Sequence, residues 1–202
     1  MFYRKKAYGT VVGDIGAIIR KTKMFASVFK AKDDIFIPPT VQSTNWSTWS
    51  CIIDKKTCLK CLSENGKICR SDQELYHHNC RCTKIPLQAT PAGFATNDGQ
   101  NGADFWLKNF GVLPEYYISE EKIRNLGWNK KESPSKYAPG KMMNCGIYLN
   151  IDGKLPHEPG RIWYEADLNY YFGKRNGHRI VWSNDGLIFV TYDHYTTFIE
   201  IF

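Results

Sequence analysis

Six of the seven cysteines fall between Cys51 and Cys82, and this crowding constrains the fold more than any other feature. The stretch that holds them, Asn45 to Pro86, is short and polar, with a turn at Glu64-Asn65-Gly66. It carries too little apolar surface to order itself, so a staple has to hold it. The spacing has metal-ligand character. Cys58-x2-Cys61 is followed, after a fifteen-residue gap, by His77-His78-Asn79-Cys80-Arg81-Cys82. Each pair grips from one turn, and thiolates with imidazole suit zinc. Cys58, Cys61, His77, Cys80 and Cys82 are the candidate ligands, and four of them would suffice. Disulfides, or free thiols without metal, are the competing readings.

The rest of the chain is built differently. Cys145 is the one cysteine of the second half and is expected to be a buried or half-buried free thiol. Lys and Arg number 27 against 20 Asp and Glu, a formal charge of +7. Residues 1–100 hold 15 basic and 8 acidic side chains, while residues 101–202 hold 12 of each, so the whole excess lies in the first half. A basic balance suggests a nucleic-acid partner. In the neutral second half such contact must rest on a local arrangement of cations. Residues 1–44 read as a basic helical segment, with Ile18, Ile19, Phe25, Val28 and Phe29 at roughly helical spacing and Pro38-Pro39 as its end. Residues 87–103 are rich in Pro, Gly, Thr, Asn and Asp without apolar periodicity and read as a linker. No apolar run is long enough for a bilayer. The basic N-terminus has no small-residue cleavage site, so a removable signal peptide is not expected.

From residue 104 the pattern runs from helices to strands. Phe105, Trp106, Leu107 and Phe110 predict an amphipathic helix stopping at Gly111. A second helix is predicted from the N-cap Ser119, with Glu120 and Glu121 in its first turn, to Gly127. Aromatic and β-branched runs at 147–149, 161–171, 179–183, 187–192 and 197–202 predict strands separated by Gly-containing turns. The class is α+β, with N-terminal helices packed on an antiparallel sheet. Along 161–170, alternation puts Ala166, Leu168 and Tyr170 on a core face and Glu165, Asp167 and Asn169 on an open one. Arg175 and Arg179, in the next hairpin arm, are placed to pair with those acids. His157 and His178 are expected at the surface.

Residues 104–202 resemble the barnase family of bacterial guanyl-preferring endoribonucleases. The segments that carry the resemblance are Leu126-Gly127-Trp128, Ala138-Pro139-Gly140-Lys141, Asn150-Ile151-Asp152-Gly153-Lys154-Leu155-Pro156, the run 160–170, Arg175-Asn176-Gly177-His178-Arg179-Ile180 and Asp193-His194-Tyr195-Thr196-Thr197-Phe198. The resemblance implies cleavage of single-stranded RNA 3′ to guanosine through a 2′,3′-cyclic phosphate, without a metal. It implies Glu165 as general base, His194 as general acid, and Arg175 and Arg179 on the phosphate. The residue types suit these tasks, because a free Glu titrates near ~4.3 and a free His near ~6.5. It further implies a guanine site at Asn150, Asp152 and Gly153, with Tyr148 and Tyr195 stacking on or beside the base. A small acidic inhibitor resembling barstar is the implied partner, and the ribonuclease domain is expected to be monomeric.

Two positions depart from the family pattern: Glu120 stands where a lysine is usual, and Ile151 where an arginine is usual. Lys122 and Lys174 are candidates to restore the charge. Residues 54–86 resemble the C-terminal motif of phage minor head (head morphogenesis) proteins, with His78 in place of that motif's proline. By that resemblance the first half is a carrier or pre-toxin module. The implied whole is a ribonuclease toxin that is extracellular or delivered to a target cell by a non-classical route. The alternative is a phage-head-like structural or carrier protein whose C-terminal domain binds RNA or a partner without catalysis.

Overall fold

The Cys-rich stretch and the strand-rich second half contribute to one continuous sheet. A computed structural model describes residues 36–202, so the helical expectation for residues 1–35 lies outside the described residues. The elements are β1 (Val41–Ser50), α1 (Leu59–Glu64), β2 (Ile68–Arg70), β3 (Thr83–Thr90), α2 (Ala103–Phe110), β4 (Tyr117–Ser119), α3 (Glu120–Asn125), α4 (Pro134–Tyr137), β5 (Met142–Tyr148), β6 (Trp163–Asp167), β7 (Arg179–Ser183), β8 (Ile188–Thr191) and β9 (Ile199–Ile201). The spatial order is β2-β1-β3-β9-β8-β7-β6-β5-β4. Strands β5 to β9 pair antiparallel with their sequence neighbours, as the alternation predicts. The joins of β3 to β9 and of β4 to β5 are parallel, so the sheet is mixed. Parallel pairs need long crossovers and leave no local turn signal in the sequence.

Two boundaries differ from the sequence reading. Residues 41–44, grouped with the basic helical segment, open β1. Residues 87–103, read as a linker, continue β3 and then form turns fixed by one buried carboxylate. Asp104 accepts from the amides of Gly93 (2.7 Å) and Ala95 (2.9 Å). The composition marks turns correctly, but a hydrogen-bonded acid builds them into the fold.

Both faces of the sheet are covered. On one, Ala103 and Leu107 of α2 pack on Ala166, Leu168, Ile180 and Val190. Helix α2 stops where predicted, on Gly111 in the left-handed region (φ 70°). On the other face, Trp163, Val181, Phe189 and Phe198 pack with Leu155 and with Trp46 and Leu87 of the first half. Full burial of each such large side chain contributes ~1.5–3 kcal/mol. Ser119 caps α3 by accepting from the Lys122 amide at 3.3 Å, and Ile123 anchors that helix against Trp128 and Met143. The helix ends at Asn125, two residues short of Gly127.

A buried polar contact joins the two halves: the Ser43 hydroxyl donates to the carboxylate of Glu200 on β9. Ser43→Ala leaves that carboxylate without its donor and is expected to lower stability by about 1–3 kcal/mol. Urea denaturation of the full chain reads this, and an unchanged midpoint would contradict the join.

Candidate active site

The β6–β7 register builds the floor of the site. Asp167 lies directly opposite Arg179, so both project from the face that also carries Glu165, two residues before Asp167. The hairpin between the strands folds Arg175 back onto the same acid. Arg175 Nε donates to Asp167 Oδ2 at 2.9 Å and Nη2 to Oδ1 at 2.5 Å, while Arg179 Nε lies 3.3 Å from Oδ1. Arg179 Nη1 also donates to the carbonyls of Asn176 and His178, at 2.7 Å each. The predicted pairing therefore forms, but the face is not open at Asp167, which is fully buried beneath two guanidinium groups. Burial works against the charge of Arg175, and the bonds and charge of Asp167 outweigh it, raising its pKa. Asp167 orients both cations, a role the sequence did not single out.

A bulge in β5 supplies the next wall. Its register against β6 shifts between Asn144 and Gly146, with Gly146 at φ 84°, and Cys145 is the extra residue. Its sulfur accepts from Arg175 Nη2 at 3.0 Å. Cys145 is half-buried and free, as expected. Burial, then the charge of Asp167, push its thiol up to about 12, so it is no nucleophile at neutral pH.

The turn after β8 carries His194 and Tyr195, both in the left-handed region (φ 56° and 70°). Such backbone costs energy in non-glycine residues and needs enforcement. Asp193 supplies it by accepting from the amides of Thr196 (3.0 Å) and Thr197 (2.9 Å) and the hydroxyls of Thr191 (2.9 Å) and Thr197 (2.7 Å). Burial raises the pKa of Asp193, but these donors hold it below the usual range overall. The His194 amide donates to the Gly177 carbonyl at 3.1 Å. A Cβ on Gly177 would meet the His194 Cβ at 3.3 Å, so glycine permits that approach. His194 is exposed, whereas Tyr195 turns inward, donates to Glu165 and stacks on Tyr148 with centroids 5.1 Å apart. Burial and the Glu165 bond raise the Tyr195 pKa and keep it a donor.

The loop 149–155 adjoins this turn. Asn150 (φ 46°) clasps Leu155, donating to its carbonyl at 2.9 Å and accepting from its amide at 3.1 Å. Gly153 (φ 60°) donates to the Asn150 carbonyl at 2.9 Å, leaving Ile151 and Asp152 exposed at the tip. Lys154 ties the loop to the turn after β8 by donating to the Tyr195 carbonyl at 2.8 Å.

One cleft of about 750 Å³ brings together Glu165, Arg175, Arg179, His194 and Tyr195. Tyr148 joins through its stack on Tyr195, while Asn150, Asp152 and Gly153 sit on the neighbouring loop. Glu120, Lys130, Lys131 and Lys174 also line the cleft, and Lys122 does not. Lys130 and Lys131 were missed; the signal was the Lys-Lys pair in the loop after Trp128. Glu120 is engaged by Arg124 at 2.5 Å and Lys130 at 3.6 Å, and the Arg124 bond is the main reason its carboxyl is held low. His157 is exposed as expected. His178 is half-buried against Tyr192 rather than at the surface, and burial, then Arg179, lower its pKa.

Removing Asp167 leaves two adjacent guanidinium groups without their anion. Asp167→Ala is expected to cost about 3–5 kcal/mol in urea denaturation. A loss below about 1 kcal/mol would mean that the arginines hold their places without it.

The ribonuclease family model matches residues 107–201. A ribonuclease from Heyndrickxia coagulans is 41% identical over 102 residues, covering 50% of this chain and 94% of that protein. Ribonucleases from Bacillus intermedius and Bacillus pumilus are also 41% identical over 102 residues, covering 50% of this chain and 63% of each of those proteins. With the cleft and these relatives falling on the same half, the chain belongs to the barnase family of ribonucleases through its C-terminal domain.

Proposed function

We propose that the C-terminal domain cleaves single-stranded RNA on the 3′ side of guanosine by transesterification. The observation that carries this reading is the convergence of Glu165, Arg175, Arg179 and His194 on one cleft. Glu165 takes the proton of the ribose 2′-hydroxyl, O2′ attacks the adjacent phosphorus, and the bond to O5′ breaks as His194 protonates the leaving oxygen. Hydrolysis of the cyclic phosphate reverses the roles: His194 deprotonates a water and Glu165 returns the proton. The hydrogen bond from Tyr195 holds the Glu165 carboxylate in position. Two guanidinium groups against one buried Asp167 leave a net single positive charge, which matches the phosphodiester. Arg175 Nη1 and Arg179 Nη2 are the donors we assign to it.

Guanine preference is assigned to the loop 149–155. Asp152, exposed at its tip, accepts from the ring N–H and exocyclic amine of guanine. Asn150 and Gly153 shape the loop, and the Tyr148–Tyr195 stack flanks the base. Glu120, the feature that favours a non-catalytic domain, is charge-compensated by Arg124 and Lys130, while Glu165 and His194 both line the cleft. We read the whole as a toxin whose cationic cleft also suits an acidic, barstar-like inhibitor, with residues 45–86 as its carrier.

Cleavage of GpA-type and ApG-type dinucleotides by the intact chain tests the assignment. GpA is expected to be cut preferentially, and Glu165→Ala and His194→Ala are each expected to lose about 10²–10⁴ in kcat. A rate bell-shaped in pH is expected; a flat profile between about pH 4 and 8 would sink the acid–base pair. Equal cleavage of both dinucleotides would remove the guanine preference. Glu120→Lys adds cationic charge to the cleft and is expected to lower KM about two- to fivefold at low salt, the equivalent of ~0.5–1 kcal/mol. If KM does not move, the lysines at 130, 131 and 174 already saturate that contact.

A further inference from the structure

The cysteine cluster lies outside the ribonuclease cleft. Cys58 caps α1, its sulfur accepting from the Cys61 amide at 3.3 Å, which puts both sulfurs on one side of the helix start. The turn holding the second half of the cluster is closed by the Cys80 amide on the His77 carbonyl (3.2 Å), with Asn79 in the left-handed region. These two turns meet. His77 Nε2 lies 3.3 Å from the Cys58 sulfur and 3.1 Å from that of Cys61, and the Cys61 and Cys80 sulfurs are 3.5 Å apart.

Three features make this a ligand set rather than a group of thiols. The contacts of His77 with Cys58 and Cys61, and of Cys61 with Cys80, lie at or a few tenths of an ångström inside the roughly 3.5–3.8 Å edges of a tetrahedral zinc site with thiolate and imidazole ligands. An imidazole nitrogen sits between two sulfurs, where a disulfide has no use for it. The other ring nitrogen of His77 is hydrogen-bonded to the His78 carbonyl at 3.0 Å, the outer contact that fixes a ligating histidine's tautomer and orientation. The five candidates fall into two close trios that share Cys61, one of Cys58, Cys61 and His77 and the other of Cys61, Cys80 and Cys82, and Cys82 is the one we set aside. Its sulfur donates to that of Cys51 at 2.8 Å, and Cys51 in turn donates to the Cys61 carbonyl at 2.9 Å.

The module touches the loop 149–155 directly. The Ile68 amide of β2 donates to the Lys154 carbonyl at 2.7 Å, and Lys67 lies against Gly153, its Cε 3.5 Å from where a Cβ would stand. Strand β2 is fixed from the cluster side: Trp49 exchanges backbone bonds with Lys67 (2.9 Å) and Gly66 (2.8 Å) and packs against Tyr76, with ring centroids 4.7 Å apart and the planes tilted by 49°.

We propose that Cys58, Cys61, His77 and Cys80 hold one zinc ion, and that this clip braces the loop 149–155 through β2. Calling that loop the base site rests on the function proposed above; the metal site and the brace do not.

The test uses the full chain, reduced, with zinc as the probe. Native mass spectrometry is expected to show one zinc per chain, and cobalt substitution is expected to give the visible spectrum of a tetrahedral thiolate site. Cys58→Ser and His77→Ala are each expected to weaken zinc binding at least tenfold, whereas Cys69→Ser, outside the set, leaves it unchanged. Because a variant can fail to fold, the cobalt spectrum of the unaltered chain stands as an independent criterion. No zinc at equimolar supply, a featureless cobalt spectrum, or pairwise oxidation of these cysteines in place of metal would overturn the site. Hydrogen exchange tests the brace: zinc is expected to slow the Ile68 amide at least tenfold relative to the chelated chain while interior β7 amides stay the same. Equal exchange at Ile68 would overturn it. Neither readout uses RNA, so failure here is separable from failure of the ribonuclease reading.

Discussion

The buried carboxylate of Asp167 is the interaction on which the cleft depends. Taking one anion and two cations out of water is expensive, and such clusters are poor sources of stability. What the cluster provides is position. Arg175 and Arg179 come from different places in the chain, one in a hairpin and one in β7, and Asp167 gives both guanidinium groups a common origin. It also limits the charge: two cations over one anion leave a net single positive charge without a broadly basic surface. A domain whose acids and bases balance can therefore still present a cationic floor.

Around that floor, the side chains of the cleft are held by neighbours with different tasks. Tyr195 positions Glu165, and its own turn is held by Asp193. Lys154 then links that turn to the loop 149–155 by a hydrogen bond. The strained backbone at His194 and Tyr195 exposes the imidazole while burying the phenol. A regular strand would have put successive side chains on opposite faces of the sheet instead.

Much of this was legible in the sequence wherever the signal is local. The Ser119 cap, the Gly111 stop and the antiparallel strands β5 to β9 follow from caps and period-2 alternation, which act within a few residues. The pairing of Glu165's strand with two arginines was readable from residue type and spacing. What was not readable depends on distant partners. Asp167 looked like a surface acid because alternation reports which face a residue is on, not what covers that face. Residues 87–103 looked like a linker because turn composition is the same whether or not a buried acid such as Asp104 organises it. The parallel joins left no trace because neither β3–β9 nor β4–β5 is connected by a short turn.

The continuity of the sheet gives the first half a physical reason to be where it is. Without β3, strand β9 would present the open backbone of Ile199–Ile201 as an edge, a template for unwanted pairing. The pairing of β3 closes that edge, β1 follows, and the new edge is β2, only three residues long and ending in the charged Arg70. The opposite edge, β4, is also three residues long. Among the described residues, both ends of a nine-stranded sheet are thus short, which is how a large sheet avoids adding neighbours. Strand β2 can serve as that terminus only if the polar stretch around it is ordered, and it has little apolar surface with which to order itself. The cysteine and histidine turns that flank it supply the constraint, so the cluster that most restricts the sequence also completes the ribonuclease sheet.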